Sequence, residues 1–229
     1  MILEILIPDG GPVYAETNLE NIFVEPWNAI SSLVYLVPAF FCFYWIKSQY
    51  RYYSFLTLSA ILLILGGIGS TIYHAFRASQ VFLALDVLPI QGLTLLIIIY
   101  FWSRIIKSKL LGFLLVLMFL GAKIVLHHTT EGSFKTNMAY LINGIMLFLP
   151  ILIYMYFTRF NKGWYIIASI FFFAISLYFR HADLHSVEYM SMGSHWLWHV
   201  FSAAGSGFLG YYLYIVRTAD NLQLIPVQA

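Results

Sequence analysis

Residues 53–76 read YSFLTLSAILLILGGIGSTIYHAF, a run with no Asp, Glu, Lys or Arg that closes on Ser70 and His74. A helix needs about 20 mainly apolar residues to cross the roughly 30 Å hydrocarbon core of a bilayer, and this run is long enough. Six similar runs accompany it, so spans are read at 27–46, 53–76, 84–103, 109–127, 136–157, 164–180 and 194–216. Composition agrees. Of 229 residues, 61% are hydrophobic and 10% charged, against roughly 25% charged in soluble domains. So few charges cannot clothe a water-soluble surface, whereas a bilayer accepts Leu, Ile and Phe facing outward. The 17 Tyr and 6 Trp suit interfacial belts. The expected fold is all-α: a polytopic seven-transmembrane-helix bundle with an acidic extramembrane segment at 1–26, one helical domain at 27–216 and a tail at 217–229.

Orientation follows from the basic residues, because short cytoplasmic loops retain Lys and Arg. Lys47 and Arg51 follow the first span, Arg104, Lys107 and Lys109 the third, Arg159 and Lys162 the fifth, and Arg217 the seventh. These eight of the twelve basic residues fall on one side. The amino terminus is therefore expected outside, in a periplasm or organelle lumen, and the carboxyl terminus in the cytoplasm. The first residues lack a basic stretch leading into an apolar core, so no cleavable signal peptide is read. Residues 1–26 hold Glu4, Asp9, Glu16, Glu20 and Glu25 with no Lys or Arg. A net charge of +2, scattered along the chain, argues against nucleic acid as a partner. Cys42 is the only cysteine, so no intramolecular disulfide can form.

Ionisable residues inside spans are expensive and mark function by default. Here they collect at the outer helix ends: Ser70 and His74 at the end of the second span, Asp86 at the start of the third, Arg180, His181 and Asp183 after the sixth, His195 and His199 at the start of the seventh. His195 and His199 stand at i and i+4, on one helical face, a spacing that suits a shared metal ion. A third imidazole would complete a catalytic type of zinc site with one position open, and His74 is the natural candidate. The bland alternative is a set of hydrogen-bonded structural histidines, with Ser70 bonded to its own helix. A rival set, His181, Asp183 and His185, ranks lower because residues at i and i+2 do not share a face. Arg180 and Asp183 read as an ion pair tying the sixth span to the site.

The order Ser70-x3-His74, Asp86, His195-x3-His199 resembles the alkaline ceramidase family, part of a wider group of membrane hydrolases with adiponectin-receptor-like and haemolysin-III-like proteins. The words GIGSTIYHA, LALDVLPI and GSHWLWH carry the likeness, together with Arg180-x2-Asp183 and the opening Glu25-Pro26-Trp27-Asn28-Ala29-Ile30-Ser31. It covers roughly residues 14 to 216. The resemblance implies an amidase that cleaves ceramide, or a related N-acyl lipid, to a fatty acid and a sphingoid-type amine. It implies that His74, His195 and His199 hold zinc, that Asp86 takes the proton from the attacking water, and that Ser70 helps stabilise the oxyanion. The lipid would enter laterally between helices. The family's calcium site is matched in part by Glu16, Asn18 and Glu25, although Val13-Tyr14 stands where the family has an acidic-aromatic pair. A solvated acidic tail is the other reading of that segment. An adiponectin-receptor or haemolysin-III type of receptor with a structural zinc is the alternative function, and the basic-loop orientation opposes it.

Overall fold

The computed structural model describes residues 7–129 and 132–221, which contain helices and no strand. Helix α1 covers Pro26–Ile46, α2 Ser54–Phe76, α3 Gln80–Ile105, α4 Lys109–Thr129, α5 Gly132–Phe157, α6 Trp164–Ala182 and α7 His195–Asn221; a 3-10 segment, Asp183–Glu188, follows α6. Six helical segments among the described residues are long and apolar enough to cross a membrane: α1, α2, α3, α4, α5 and the α6 segment. The expected seventh, α7, is long but more polar, because its first two turns carry His195, His199 and Ser202, all buried. The boundary after α2 also differs from the reading. Only Arg77, Ala78 and Ser79 separate α2 from α3, where the hydropathy suggested a longer loop. Of the expected tail, residues 217–221 continue α7 and the rest lies outside the described residues.

The described residues form two compact units, 7–91 with 164–221, and 92–129 with 132–163. In the first, α7 packs along α6 and α1, and α1 packs on α2. Helix α1 begins at Pro26, whose missing N–H costs nothing in a first turn. It tightens to a 3-10 turn at Leu33–Tyr35 and resumes at Leu36. The carboxylate of Glu16 caps its start, accepting the N–H of Trp27 at 2.6 Å and of Asn28 at 2.9 Å. The end of α2 is closed by the amino-terminal segment, since the Val24 N–H reaches the Ala75 carbonyl at 2.9 Å and the Glu25 N–H the His74 carbonyl at 3.1 Å. In the second unit α4 packs against α5, and the Phe101 ring meets Tyr154 edge-on at 5.4 Å.

Surface and interior are distributed as a bilayer requires. Phe40 and Tyr44 of α1 are 67% and 72% exposed, while Asn28, Ser31, Ser32, Ser70 and His74 are buried. Close backbone approach makes that interior possible. Gly69 of α2 faces the backbone of Leu85 in α3, and a methyl group there would run into the Leu85 carbonyl. Overpacking of this kind costs about 1–3 kcal/mol. Gly69→Ala is therefore expected to lower the melting temperature of detergent-purified protein, whereas Gly92→Ala, with open space around it, should leave it unchanged or raise it. Equal behaviour of the two variants in a thermal melt would contradict the packing described.

Candidate metal centre

Three histidines converge inside the first unit. His74 lies in the last turn of α2, and His195 and His199 in the first two turns of α7. All are buried, and one ring nitrogen from each lies within 4.8 Å of the others. Ring centroids are 5.3 Å apart for His74 and His195, 5.0 Å for His74 and His199, and 4.8 Å for His195 and His199. Among the described residues this is the only group of three or more His, Cys, Asp or Glu side chains so placed.

The far side of two of these rings is engaged by the protein. His74 Nδ1 pairs with the Glu25 carboxylate. His199 Nδ1 lies 2.8 Å from Ser31 Oγ and 3.3 Å from Ser32 Oγ. Ser31 Oγ can donate to the Asn28 carbonyl at 3.1 Å, which leaves it to accept from His199 Nδ1–H. With Nδ1 so protonated, Nε2 of each ring carries the free lone pair, the arrangement of metal-ligating imidazoles held by outer partners. His195 differs: its Nδ1 is buried with no hydrogen-bond partner. A buried polar atom left so costs about 1–3 kcal/mol. Three imidazoles without a thiolate suit zinc, copper, iron or nickel, so the donor set fits a transition-metal ion and the group can hold one.

Ser70 and Asp86 stand beside the histidines. Ser70 Oγ is buried and accepts from Ser32 Oγ at 3.0 Å, while its own hydroxyl is within hydrogen-bonding reach of the Asp86 carboxylate. Asp183 begins the 3-10 segment, and its oxygens accept the N–H groups of Ser194 at 2.8 Å, His195 at 2.9 Å and Ala15 at 2.8 Å. It thus caps α7 and ties the amino-terminal segment to it. Gly193 adopts φ +68 next to this carboxylate, where a side chain would meet Asp183 and Ala15. Arg180 lies in the last turn of α6. The rival histidines, His181 and His185, do not join the cluster.

The amino-terminal segment crosses the site. The Tyr14 ring stacks on His195 at 3.9 Å and meets His74 at 5.3 Å. Arg77, fully buried just past α2, reaches Asp9, the Pro12 carbonyl and Glu25. Burial pushes the Glu25 carboxyl up, but the His74 bond and charge, the Arg77 charge and the Thr17 hydroxyl outweigh it and hold it below its usual range. Burial opposes the Arg77 charge too, yet Asp9 and Glu25 keep the guanidinium firmly protonated. Sequence reasoning missed Ser31, Ser32, Tyr14, Asp9 and Arg77. The signal available for Arg77 was charge: one basic residue just past the end of α2, facing a segment of acids without a cation.

No protein-family model and no curated protein matches this sequence.

Loss of any one of the three imidazoles should empty the site. His74→Ala, His195→Ala and His199→Ala are each expected to abolish bound metal measured by elemental analysis. Glu25→Gln, which removes the carboxylate behind His74, should weaken metal affinity about 10–100-fold in a chelator competition; unchanged affinity would remove Glu25 from the centre.

Proposed function

We propose that this chain is a zinc-dependent amidase of seven membrane-crossing helices that cleaves the N-acyl bond of ceramide or a related N-acyl lipid, as its resemblance to alkaline ceramidases implies. The observation that carries the reading is the meeting of three metal-ligand histidines with Ser70 and Asp86 inside a unit of membrane-length apolar helices. Helix α7 is the seventh span in this reading, with its polar turns turned inward, and the metal centre lies on the extracytoplasmic side.

Zinc held by His74, His195 and His199 would supply Lewis-acid polarisation of a carbonyl oxygen and acidify water to a pKa near ~7. The chain's own residues do the rest. The Asp86 carboxylate holds the proton taken from the attacking water and returns it to the departing amine nitrogen. Ser70 Oγ, held by the Ser32 hydroxyl, turns its one proton from Asp86 to the oxyanion once Asp86 has taken up the proton of the water. Tyr14 and the segment around it shield His195 from bulk water.

An apolar groove of about 510 Å³ between α1 and α7 supports a lipid substrate. It is lined by Val34, Pro38, Val200, Ala204 and Gly207, among others, and starts one residue past His199 and three past Ser31. In this reading a hydrocarbon chain lies along that groove and the lipid enters sideways from the bilayer.

Purified wild-type protein is expected to release fatty acid from a defined ceramide. Asp86→Asn should lose at least about 100-fold in rate, the lower range of general acid–base catalysis, while keeping its metal. Lipid profiling of cells with wild type and with Asp86→Asn extends the test to other N-acyl lipids. Identical profiles for the two proteins would reject the amidase. Labelling of terminal tags should place the amino terminus outside and the carboxyl terminus in the cytoplasm; both on one side would reject seven spans.

A further inference from the structure

The resemblance leads one to expect calcium on Glu16, Asn18 and Glu25, and the groups in place do not fit it. Both oxygens of Glu16 face backbone N–H groups of Trp27 and Asn28. Asn18 Oδ1 accepts the N–H of Glu20 at 3.0 Å. The oxygens of Glu25 are taken by Arg77, His74 and Thr17, the last at 2.5 Å. A divalent cation on Glu25 would stand against a guanidinium charge.

We propose that Arg77 is the resident cation of the acidic amino-terminal segment: it fastens residues 9–25 to the end of α2 and orients Glu25 behind His74. The fork of the side chain is used on three sides. Nε reaches Asp9 Oδ2 at 2.6 Å, Nη2 reaches Asp9 Oδ1 at 3.1 Å and the Pro12 carbonyl at 2.9 Å, and Nη1 pairs with Glu25. The rings of Tyr73 and Tyr14 lie 4.6 Å and 5.6 Å from its central carbon. A planar, permanently charged group with several donors suits this better than an ammonium.

The backbone supplies an independent observation. Arg77 has φ 47 at the C-cap of α2, the left-handed conformation that glycine adopts most easily at a helix end. A helix stop alone would be served better by glycine. Lys47 ends α1 in the same conformation, so the left-handed backbone alone does not select arginine; the bonds that the Arg77 side chain makes from it to Asp9 and Glu25 do.

Arg77 is thus a positioning residue for the metal centre, acting through Glu25. This second role rests on reading His74 as a ligand; the fastening of the segment does not. It predicts that the full-length protein in calcium-free buffer shows no change in melting temperature when calcium is titrated to millimolar levels. A saturable rise of several degrees would overturn the proposal, and this arm needs no variant. In Arg77→Gln, trypsin-independent proteases such as chymotrypsin or Glu-C should cut within residues 10–25 faster than in wild type, and zinc affinity should fall at least about tenfold. Millimolar guanidinium added to Arg77→Ala should restore protection of the segment. Wild-type protection in Arg77→Gln would overturn the fastening role, and wild-type zinc affinity in it the positioning role. If the wild-type protein binds no zinc, the proposed function falls, while the calcium and proteolysis arms still decide whether Arg77 is the cation.

Discussion

Glu25 is shared. One of its oxygens meets the guanidinium of Arg77 and the other the imidazole of His74, so a single buried carboxylate joins the amino-terminal segment, the start of α1, the end of α2 and the candidate metal centre. Charges removed from water are tolerated only when each has partners of opposite sign and satisfied hydrogen bonds. Taking one member from such a group typically costs about 3–5 kcal/mol, because the others remain buried and uncompensated. Asp9, Arg77 and Glu25 therefore stand or fall together, and the position of His74 depends on them.

The bilayer explains why so much polarity is gathered in one place. Helices whose outer faces must be apolar can place polar side chains only where other helices or the chain's own loops cover them. Helix α1 contributes Asn28, Ser31 and Ser32, α2 contributes Ser70 and His74, and α7 contributes His199 and Ser202, all buried. They satisfy one another: Tyr35 meets Ser202 at 2.6 Å, for example, across the α1 and α7 contact. Asn28 Oδ1 and His195 Nδ1 are left without a partner, the second of them on a ring of the three-histidine group.

What was legible in the sequence was what is local or periodic. Apolar runs predict seven spans, of which six are long and apolar enough to cross a membrane among the described residues, and the i, i+4 spacing of His195 and His199 selects histidines that do converge. His74, Ser70 and Asp86 could be added because seven spans, as expected from the sequence, would bring the end of the second and the start of the third and seventh to one side. The partners of the acids were not legible. Arg77 meets Asp9 across 68 positions and Glu25 across 52, and nothing in periodicity says which cation a distant carboxylate faces. Glu25 is legible as an acid of the amino-terminal segment, but not as the partner of Arg77 and His74. The end of α2 at Phe76 was legible, but α3 starts at Gln80, ahead of its expected start at 84, because Arg77, Ala78 and Ser79 turn the chain in three residues, a turn made by one left-handed residue that is not a glycine.

The bridge made by Asp183 has a consequence for how the protein is made. This carboxylate holds the N–H of Ala15 on one side and those of Ser194 and His195 on the other, across a separation of 168 residues in the first case. Chains are synthesised from the amino end, so residues 9–25 have left the ribosome long before the last helix exists to receive them. Until α7 has formed, His74 has no second imidazole beside it and Tyr14 lacks His195 to stack on. The three-histidine group is therefore completed only when the last helix is in place, and a chain cut short before His195 cannot form it.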